Sequence, residues 1–342
     1  MKRMFLVLLA TALVLAGCKQ PIKTPAPSSS AAATPVESLA PSPSAAQSNA
    51  EVPKLPERFA NKTAEEMILK IYDIKSKQIS ELPLEEYLCG VLAGEMQKDW
   101  PEEALKAQAI IARTFLMQFL TENETSKVNK EADISTDPEE SQAYDASGVD
   151  EKIKKAVSDT SGMVIAYNGQ FIRAWFHSAS GGKTADALEG LNFQEQNPPY
   201  IQSVESDESK APKEFTEWEN TFTADEISAG LSKMAVGSEK DISDIKLGKT
   251  GPSGRATTII VNGNEISAPE FRIAMDPLKF RSTFITELKF DGSKMTVKGK
   301  GYGHGVGMPQ WGAFQMASDG KKAEDIINYY FKSVAVVNLW NK

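Results

Sequence analysis

Apolar residues recur with the period of an α-helix from residue 84 onward. Leu84, Leu88, Val91 and Leu92 fall on one face of this predicted helix. Extending the apolar stripe by three or four residues leads to Glu95. The pattern therefore predicts an amphipathic helix with a carboxylate where its buried face ends.

A second helix is predicted from about Asp99 to Leu120. Asp99 is a candidate N-cap, and Pro101 is tolerated in a first helical turn. Glu102 and Glu103 suit the positive end of the helix dipole. The many alanines that follow indicate close packing against other backbone.

A β-hairpin is predicted further along the chain. Met163–Tyr167 and Phe171–Phe176 have strand character, and the Asn168-Gly169 pair between them favours a type I′ turn. His177 would then lie at the end of a strand, where the chain enters a Ser-Gly-Gly loop.

The rest of the chain mixes irregular segments, strands and short helices. The expected elements are a polar surface excursion over 121–150, an irregular and partly helical stretch over 191–244, strands over 256–261 and 287–298, and helices over 268–275, from Pro309, and over 323–331. Between 299 and 307 every odd position is glycine, so an extended chain would carry its side chains on one face. The sequence predicts an α+β fold of mixed helices and antiparallel strands, with one lobe or two lobes around a groove.

The two histidines of the chain both lie in glycine-rich stretches. His177 is in Phe176–Gly182, and His304 is in Gly301–Gly307. Small residues expose backbone and allow a ligand to approach closely. We therefore expect folding to bring the two stretches into one cleft.

The first residues resemble a bacterial lipoprotein signal. A basic start and a short apolar core lead to Leu15-Ala16-Gly17-Cys18, in which Cys18 would become the lipidated first residue. An ordinary secretory signal is the alternative. Residues 18–60 are rich in Pro, Ala and Ser and are predicted to be a flexible tether. The resulting division is 1–17 signal, 18–60 tether and 61–342 folded domain, held outside the cytoplasmic membrane by the lipid.

Composition excludes several classes of function. The formal net charge of -8 and the lack of a basic run outside the signal argue against nucleic-acid binding. With two cysteines, Cys18 and Cys89, there is no disulfide framework, and Cys89 is predicted to be a buried structural thiol.

Glu95 is the strongest candidate for a catalytic residue. A carboxyl group desolvated at the end of an apolar stripe has a raised pKa and can serve as a general acid near neutrality. The structural alternatives are a surface glutamate at a fraying helix end or an ion pair with Arg113. Arg113 and Arg173 are in turn candidate anion contacts or structural ion-pair partners.

Other chemistries have weaker support. Two imidazoles and a carboxylate suit zinc, but no short ligand spacing links His177, His304 and Glu95. Ser178 and Ser180 lack the glycine two residues earlier that a nucleophile elbow requires. The glycine-rich segment before residue 308 lacks the Gly-Lys-Ser or Gly-Lys-Thr ending of a phosphate loop.

Several long blocks of the sequence closely resemble the SpoIID/LytB family. They are Tyr87–Met96, Trp100–Ala109 with Ala112-Arg113-Thr114, Phe176–Thr184, Pro199-Tyr200 and Gly301–Ala313. In order they span roughly residues 82–331. The resemblance identifies the chain as a member of this family.

The resemblance implies a membrane-anchored lytic transglycosylase that cleaves MurNAc–GlcNAc bonds of peptidoglycan strands already stripped of stem peptides, in sporulation and engulfment. The family's catalytic glutamate, which precedes methionine in the first block, corresponds to Glu95. No cofactor is expected, because Asp133–Tyr144 lacks the Cys and His that carry zinc in some sporulation members. Another branch of the family enhances a wall amidase, so a non-catalytic wall-binding module is the alternative.

The resemblance also suggests a substrate-binding set around Glu95. Its members are Arg113, His177, Ser178, Ser180, Gly181, Gly182, Tyr302, His304 and Gln310. Arg113 is the first choice for the lactyl carboxylate that a stripped muramic acid bears. The partners implied are peptidoglycan strands, a wall amidase or endopeptidase, and membrane proteins of sporulation. A buried Glu95 beside both glycine-rich loops would favour the transglycosylase. A solvent-facing Glu95 would favour the non-catalytic wall-binding module.

Overall fold

The computed structural model describes residues 51–234 and 242–340. The predicted signal, the lipidated Cys18 and most of the tether lie outside the described residues. Within the described part, packing begins before residue 61, because Phe59 is buried against the main core and Leu55 also packs on it. No helix in these two ranges is both long and apolar enough to cross a bilayer.

The helices of the described ranges are mostly short, with one long central member. They are α1 (Leu84–Glu95), α2 (Glu102–Glu122), α3 (Glu151–Asp159), α4 (Ala187–Leu191), α5 (Lys213–Thr216), α6 (Ala224–Lys233), α7 (Ala268–Ala274), α8 (Gln310–Ser318) and α9 (Ala323–Tyr330).

The strands form small sheets that are mainly antiparallel. They are β1 (Ile68–Asp73), β2 (Gln78–Pro83), β3 (Ile134–Ser135), β4 (Met163–Tyr167), β5 (Gln170–Phe171), β6 (Phe176–His177), β7 (Glu217–Thr223), β8 (Ile245–Leu247), β9 (Thr258–Val261), β10 (Asn264–Ser267), β11 (Ile285–Phe290), β12 (Lys294–Lys300), β13 (Met308–Pro309) and β14 (Ala335–Asn338). The sheet orders are β2-β1-β3, β14-β4-β5, β13-β6, β10-β9-β8 and β11-β12-β7. The predicted α+β class is confirmed.

The main core is built around α1 and α2. The apolar face predicted for α1 is buried, and Leu84, Leu88 and Leu92 are at most 1% exposed. The alanine-rich α2 is buried over most of its length, as its composition predicts. Its cap differs from the prediction, since Pro101 and not Asp99 occupies the N-cap position.

A second hydrophobic core is built from the stretch of chain that runs from β7 to β12. Phe222, Phe271, Phe280 and Val297 are at most 1% exposed within it, and it is separate from the cluster around α1 and α2. The two cores correspond to the two-lobe alternative of the sequence analysis.

The hairpin at Asn168-Gly169 is confirmed. Asn168 has φ of 50° and Gly169 has φ of 70°, as a type I′ turn requires. The strand after the turn is shorter than predicted and stops at Phe171, because β6 pairs with β13 and not with β4.

Three other segments differ from the sequence predictions. The predicted strand over 287–298 belongs to the β11–β12 hairpin, which turns at Gly292. The segment 121–150 is not a surface excursion throughout, since β3 pairs with β1 and Ser135, Ser141 and Gln142 are buried. The glycine-rich segment is not extended, because its glycines at 301, 303, 305 and 307 all have positive φ, which interrupts a strand.

Candidate active site

Glu95 is the last residue of α1 and is only 5% exposed. The chain changes to an extended conformation at Met96, so the helix ends with its carboxylate held inside the protein. No ion pair joins Glu95 to Arg113 among the described residues. Neither structural alternative, the fraying surface glutamate or the pair with Arg113, applies to this side chain.

The carboxylate of Glu95 meets donors from two distant segments. The backbone N–H of Ala143 donates to Oε1 at 2.7 Å. The side-chain amide of Gln310 donates to the backbone carbonyl of Glu95 at 3.1 Å, with its nitrogen 3.4 Å from Oε2. Because Oε1 already accepts the shorter bond, a proton on this group is best accommodated on Oε2.

Two glycines of α1 allow the segment around Ala143 to approach. A Cβ on Gly94 would lie 2.7 Å from the backbone of Ala143, and one on Gly90 would lie 2.2 Å from the ring of Tyr144. Such separations leave no room for a side chain. The absence of side chains at Gly90 and Gly94 therefore allows the N–H of Ala143 to reach Glu95.

Desolvation controls the protonation of Glu95. Burial raises its pKa from 4.5 to about 8, while the hydrogen bonds from Ala143 and Gln310 act in the opposite direction. A carboxyl group in this state is largely protonated at neutral pH and can act as a general acid. The raised pKa and the burial agree with the sequence prediction for this residue.

Gly94→Ala provides a test of this contact. The added methyl group collides with backbone, so we expect the N–H of Ala143 to move away from Oε1. Loss of a hydrogen bond to a charged group is worth about 1.5–3 kcal/mol, which corresponds to a roughly tenfold or larger fall in turnover. The alkaline limb of the pH–rate profile should also move to higher pH. The Ala143 donor lowers the pKa of Glu95 by favouring the ionised form, so its loss raises that pKa.

Gly230→Ala is the matched control for that variant. Gly230 is a helical glycine in the second core, where the new methyl group meets the flexible end of Met275. Unchanged turnover in Gly94→Ala would show that Ala143 does not position the acid.

A buried carboxylate organises the loop that presents Ala143. Glu140 accepts hydrogen bonds from the Ser126 hydroxyl at 2.7 Å, from the Ser135 N–H at 2.9 Å and from the Lys127 N–H. The Ser141 hydroxyl donates to the Ser135 carbonyl at 2.7 Å. Side-chain hydrogen bonds thus hold this loop in place. Sequence reasoning missed this role of Glu140.

The two glycine-rich loops, predicted to share one cleft, contact each other directly. Ala179 and Tyr302 exchange backbone hydrogen bonds of 3.0 and 2.7 Å. A Cβ on Gly181 would lie 2.9 Å from the backbone of Gly301, so the close contact requires glycine. The rings of His177 and His304 lie 5.4 Å apart between their centroids.

Both histidines are buried and structural in their contacts. His177 donates from Nδ1 to the Val306 carbonyl at 3.1 Å, and Nδ1 of His304 accepts from the Val306 N–H at 3.0 Å. Desolvation lowers the pKa of both rings, that of His304 to about 3 and that of His177 well below 6.5. Both are neutral at physiological pH, and Nε2 of His177 has no hydrogen-bond partner among the described residues.

The histidines are connected to Glu95 through backbone. Pro309 is paired with His177 across β6 and β13, and the next residue, Gln310, contacts Glu95. The Ser178 carbonyl accepts from the N–H of Trp311. Backbone pairing therefore links the two loops to Glu95, although no hydrogen bond joins either imidazole to its carboxylate in the described ranges.

Ser180 and Gly181 are held by another buried acid. Glu208 accepts from the Ser180 hydroxyl at 2.6 Å, from the Ser180 N–H at 2.8 Å and from the Gly181 N–H at 3.0 Å. Gly182 has φ of 107° and faces open space. Ser180 is thus committed to Glu208, and the backbone of Gly182 is hydrogen-bonded to the Ser180 hydroxyl and to the N–H of Ser206.

No group of three His, Cys, Asp or Glu side chains within the two described ranges is arranged to hold a metal ion. The set of His177, His304 and Glu95 therefore does not converge as a zinc site.

The prediction that Arg113 contacts substrate needs correction. Its side chain is fully buried and binds Glu85 through Nε at 2.9 Å and Nη2 at 2.5 Å. Nη1 donates to the Met163 carbonyl. Arg113 faces the junction of α1, α2 and β4. It is a structural ion-pair partner, which was the alternative in the sequence analysis. Arg173 likewise pairs with Glu122 at 3.1 Å.

Aromatic side chains extend from the site toward the second core. Trp100 lies 4.6 Å from Trp311, Trp311 lies 5.6 Å from Phe215, and Phe215 lies 6.1 Å from Tyr302, measured between ring centroids. Phe314 packs against both tryptophans. Sequence reasoning singled out Tyr302 alone, although both tryptophans stand in the resembling blocks.

A cavity of about 480 Å³ lies elsewhere on α1 and does not include Glu95. Glu86, Cys89, Tyr144 and Lys154 are among its lining residues. Cys89 is half-buried here, so the prediction of a buried structural thiol was wrong in its burial, and desolvation raises the pKa of Cys89.

Comparison with known proteins gives consistent matches. A family model named SpoIID and described as a stage II sporulation protein matches residues 72–167, and a domain of unknown function matches residues 186–307. Stage II sporulation protein D of Bacillus subtilis (strain 168) is 34% identical over 284 residues, covering 78% of this chain and 78% of that protein. Its counterpart from Bacillus amyloliquefaciens is 33% identical over 279 residues, with 78% and 77% covered. The amidase enhancer of Bacillus subtilis (strain 168) is 27% identical over 300 residues, with 73% and 40% covered.

Proposed function

Because the chain belongs to the SpoIID family of stage II sporulation proteins, we propose that it is a cell-wall protein of sporulation and acts there as a lytic transglycosylase. Its substrate is peptidoglycan glycan stripped of stem peptides, and its products carry 1,6-anhydro ends. The observation that carries this proposal is Glu95, a buried carboxyl group whose pKa of about 8 keeps it protonated near neutrality.

A single carboxyl group suffices for this reaction, whereas most glycosidases use two. Glu95 donates its Oε2 proton to the glycosidic oxygen as the bond from C1 of the muramic acid sugar to that oxygen breaks. The sugar's own 6-hydroxyl oxygen then bonds to C1, and its proton passes to the Glu95 carboxylate. The acid is regenerated and no water is consumed, so one group serves as acid and base in turn.

The surroundings of Glu95 suit these two steps. The Ala143 N–H holds Oε1 and opposes full protonation, so the carboxylate that forms after the first transfer retains a partner. The buried aromatic rings beyond Gln310 add to the desolvated surroundings of the site.

The proposal is tested with stripped glycan strands. The full-length protein in detergent is incubated with them, and the products are analysed by mass spectrometry. Anhydro ends support the transglycosylase. Strands that stay intact, together with acceleration of an added wall amidase, would favour the alternative suggested by the amidase-enhancer relative.

We further propose that Cys18 carries lipid and holds the protein on the outer face of the cytoplasmic membrane, near a wall amidase or endopeptidase and membrane proteins of sporulation. The basis is the signal pattern that ends in Leu15-Ala16-Gly17-Cys18. Cys18→Ala should move the protein from the membrane fraction to the soluble fraction and abolish labelling with a fatty-acid probe. Unaltered partition of the variant would exclude the lipid anchor.

A further inference from the structure

An arginine stands at the far end of the aromatic cluster from Glu95. The guanidinium carbon of Arg281 lies 5.2 Å from the centroid of the Tyr302 ring. Tyr302 is followed by Phe215 and Trp311, and Trp311 adjoins the Gln310 that contacts Glu95. This chain of contacts connects Arg281 to the Glu95 site.

The charge of Arg281 is not neutralised by the residues around it. Nη1 donates to the backbone carbonyl of Glu214, and Nε lies 3.5 Å from the carbonyl of Leu278. In the described part of the chain, no carboxylate oxygen lies within 4.0 Å of its guanidinium nitrogens. The nearby Asp276 instead accepts from the backbone of Leu278.

Other arginines of the same structure do have acidic partners. The pairs are Arg58 with Asp133, Arg113 with Glu85, and Arg173 with Glu122. Arg281 is half-buried and stacked on an aromatic ring, as Arg173 is on Phe193 at 5.4 Å, but it lacks the carboxylate that Arg173 has.

A second arginine adds positive charge behind Tyr302. Arg272 is 2% exposed and donates from Nε to the backbone carbonyl of Arg281 at 3.1 Å. Its Nη2 finds no hydrogen-bond partner in the described ranges. Desolvation lowers the pKa of Arg272 to about 10, which still leaves it charged at neutral pH. The surroundings of Tyr302 are therefore cationic in a chain whose net charge is -8.

A guanidinium fork is suited to bind a carboxylate with two parallel hydrogen bonds. In a peptide-bearing strand, the lactyl carboxyl group of muramic acid is tied up in the amide bond to the stem peptide. That group becomes a free carboxylate only after the stem peptide has been removed. A site that binds the carboxylate therefore selects stripped strands.

Resting on the proposed function, we propose that Arg281, stacked on Tyr302, is the specificity-determining residue that binds the free lactyl carboxylate of a muramic acid in a strand bound at the Glu95 site. Arg272 strengthens the attraction from behind. Arg281 thus takes the role that sequence analysis gave to Arg113.

The test is an equilibrium binding experiment in the full-length Glu95→Gln background, so that strands are not cut. Stripped glycan with free lactyl carboxylates is compared with the same strands after conversion of those groups to methylamides. We expect the free carboxylates to bind about tenfold more tightly, as one charge-assisted contact at a partly exposed site provides. Arg281→Gln should bind both strands equally, and Arg281→Lys should keep part of the preference.

Arg173→Gln is the matched control, because it removes a stacked arginine of similar exposure that already has a carboxylate partner. It should keep the tenfold preference. The inference is overturned if Arg281→Gln, with an unchanged unfolding midpoint, retains the preference, or if the parent protein shows none.

Failure of this inference and failure of the proposed function give different results. If the carboxylate preference is present but wild-type protein makes no anhydro ends, only the transglycosylase is excluded. If anhydro ends form equally well from carboxylate and methylamide strands, only the role of Arg281 is excluded.

Discussion

Glu95→Gln is expected to abolish the formation of 1,6-anhydro ends from stripped glycan strands. Glutamine keeps the shape of the side chain, and its amide oxygen can still accept from the Ala143 N–H. It cannot release a proton to the glycosidic oxygen or remove one from the 6-hydroxyl. General acid–base catalysis is typically worth about 10²–10⁴ in rate, and this residue serves in both steps. Mass spectrometry of reaction time courses measures the effect.

Glu122→Gln is the matched control for this substitution. Glu122 is also the last residue of a helix, but its side chain is about half exposed, at 47%. Its replacement should leave the rate unchanged, and Glu95→Gln should still bind strands. Anhydro ends produced by Glu95→Gln at close to the wild-type rate would contradict the assignment.

The pH profile offers an independent check on Glu95. The reaction begins with the protonated acid, so the rate should fall as the pH rises through the pKa of about 8. The free energy of unfolding should change with pH in the same direction as the rate. The pKa of Glu95 is higher in the folded protein than in the unfolded chain, so its contribution to stability is complete below about pH 4.5 and is lost as the pH rises toward 8. Relative to Glu95→Gln, the wild-type protein should therefore lose stability over that interval.

Features that depend on residues close together in the chain, such as helix burial and turn type, were predicted from the sequence. The apolar period of α1 indicated that Glu95 would end a buried face, and Asn168-Gly169 fixed a turn through the positive φ that both residues can adopt. Each inference needed only residues within a few positions of one another. The joining of the glycine-rich loops was also predictable, since both carry exposed backbone.

The long-range partners of the site could not be predicted from such patterns. The donor from Ala143 is a backbone group, which leaves no side-chain signature, and it depends on the space left by Gly94. Arg113 and Arg281 are the same residue type, and only packing decides which has a carboxylate partner. The tertiary structure therefore replaces Arg113 by Arg281 as the candidate carboxylate-binding residue, and Glu95 stays the candidate acid.

The new position of Arg113 leads to a large expected effect on stability. Glu85→Gln removes the carboxylate that binds its Nε and Nη2 and leaves a fully buried guanidinium without a counter-charge. Removing one partner of a buried pair typically costs about 3–5 kcal/mol. Because the side chain of Glu85 is 23% exposed, we expect the lower end, about 3 kcal/mol, in the free energy of urea unfolding.

Two further variants separate the structural role of Arg113 from substrate binding. Glu122→Gln breaks the more exposed pair with Arg173 and should cost less than about 1 kcal/mol. The double variant Glu85→Gln, Arg113→Met should recover much of the stability, since no unpaired charge then remains buried. Among molecules that stay folded, Glu85→Gln should keep the wild-type preference for free lactyl carboxylates. If its unfolding free energy were unchanged while that preference disappeared, Arg113 would have to contact the substrate and the assignment to Arg281 would fall.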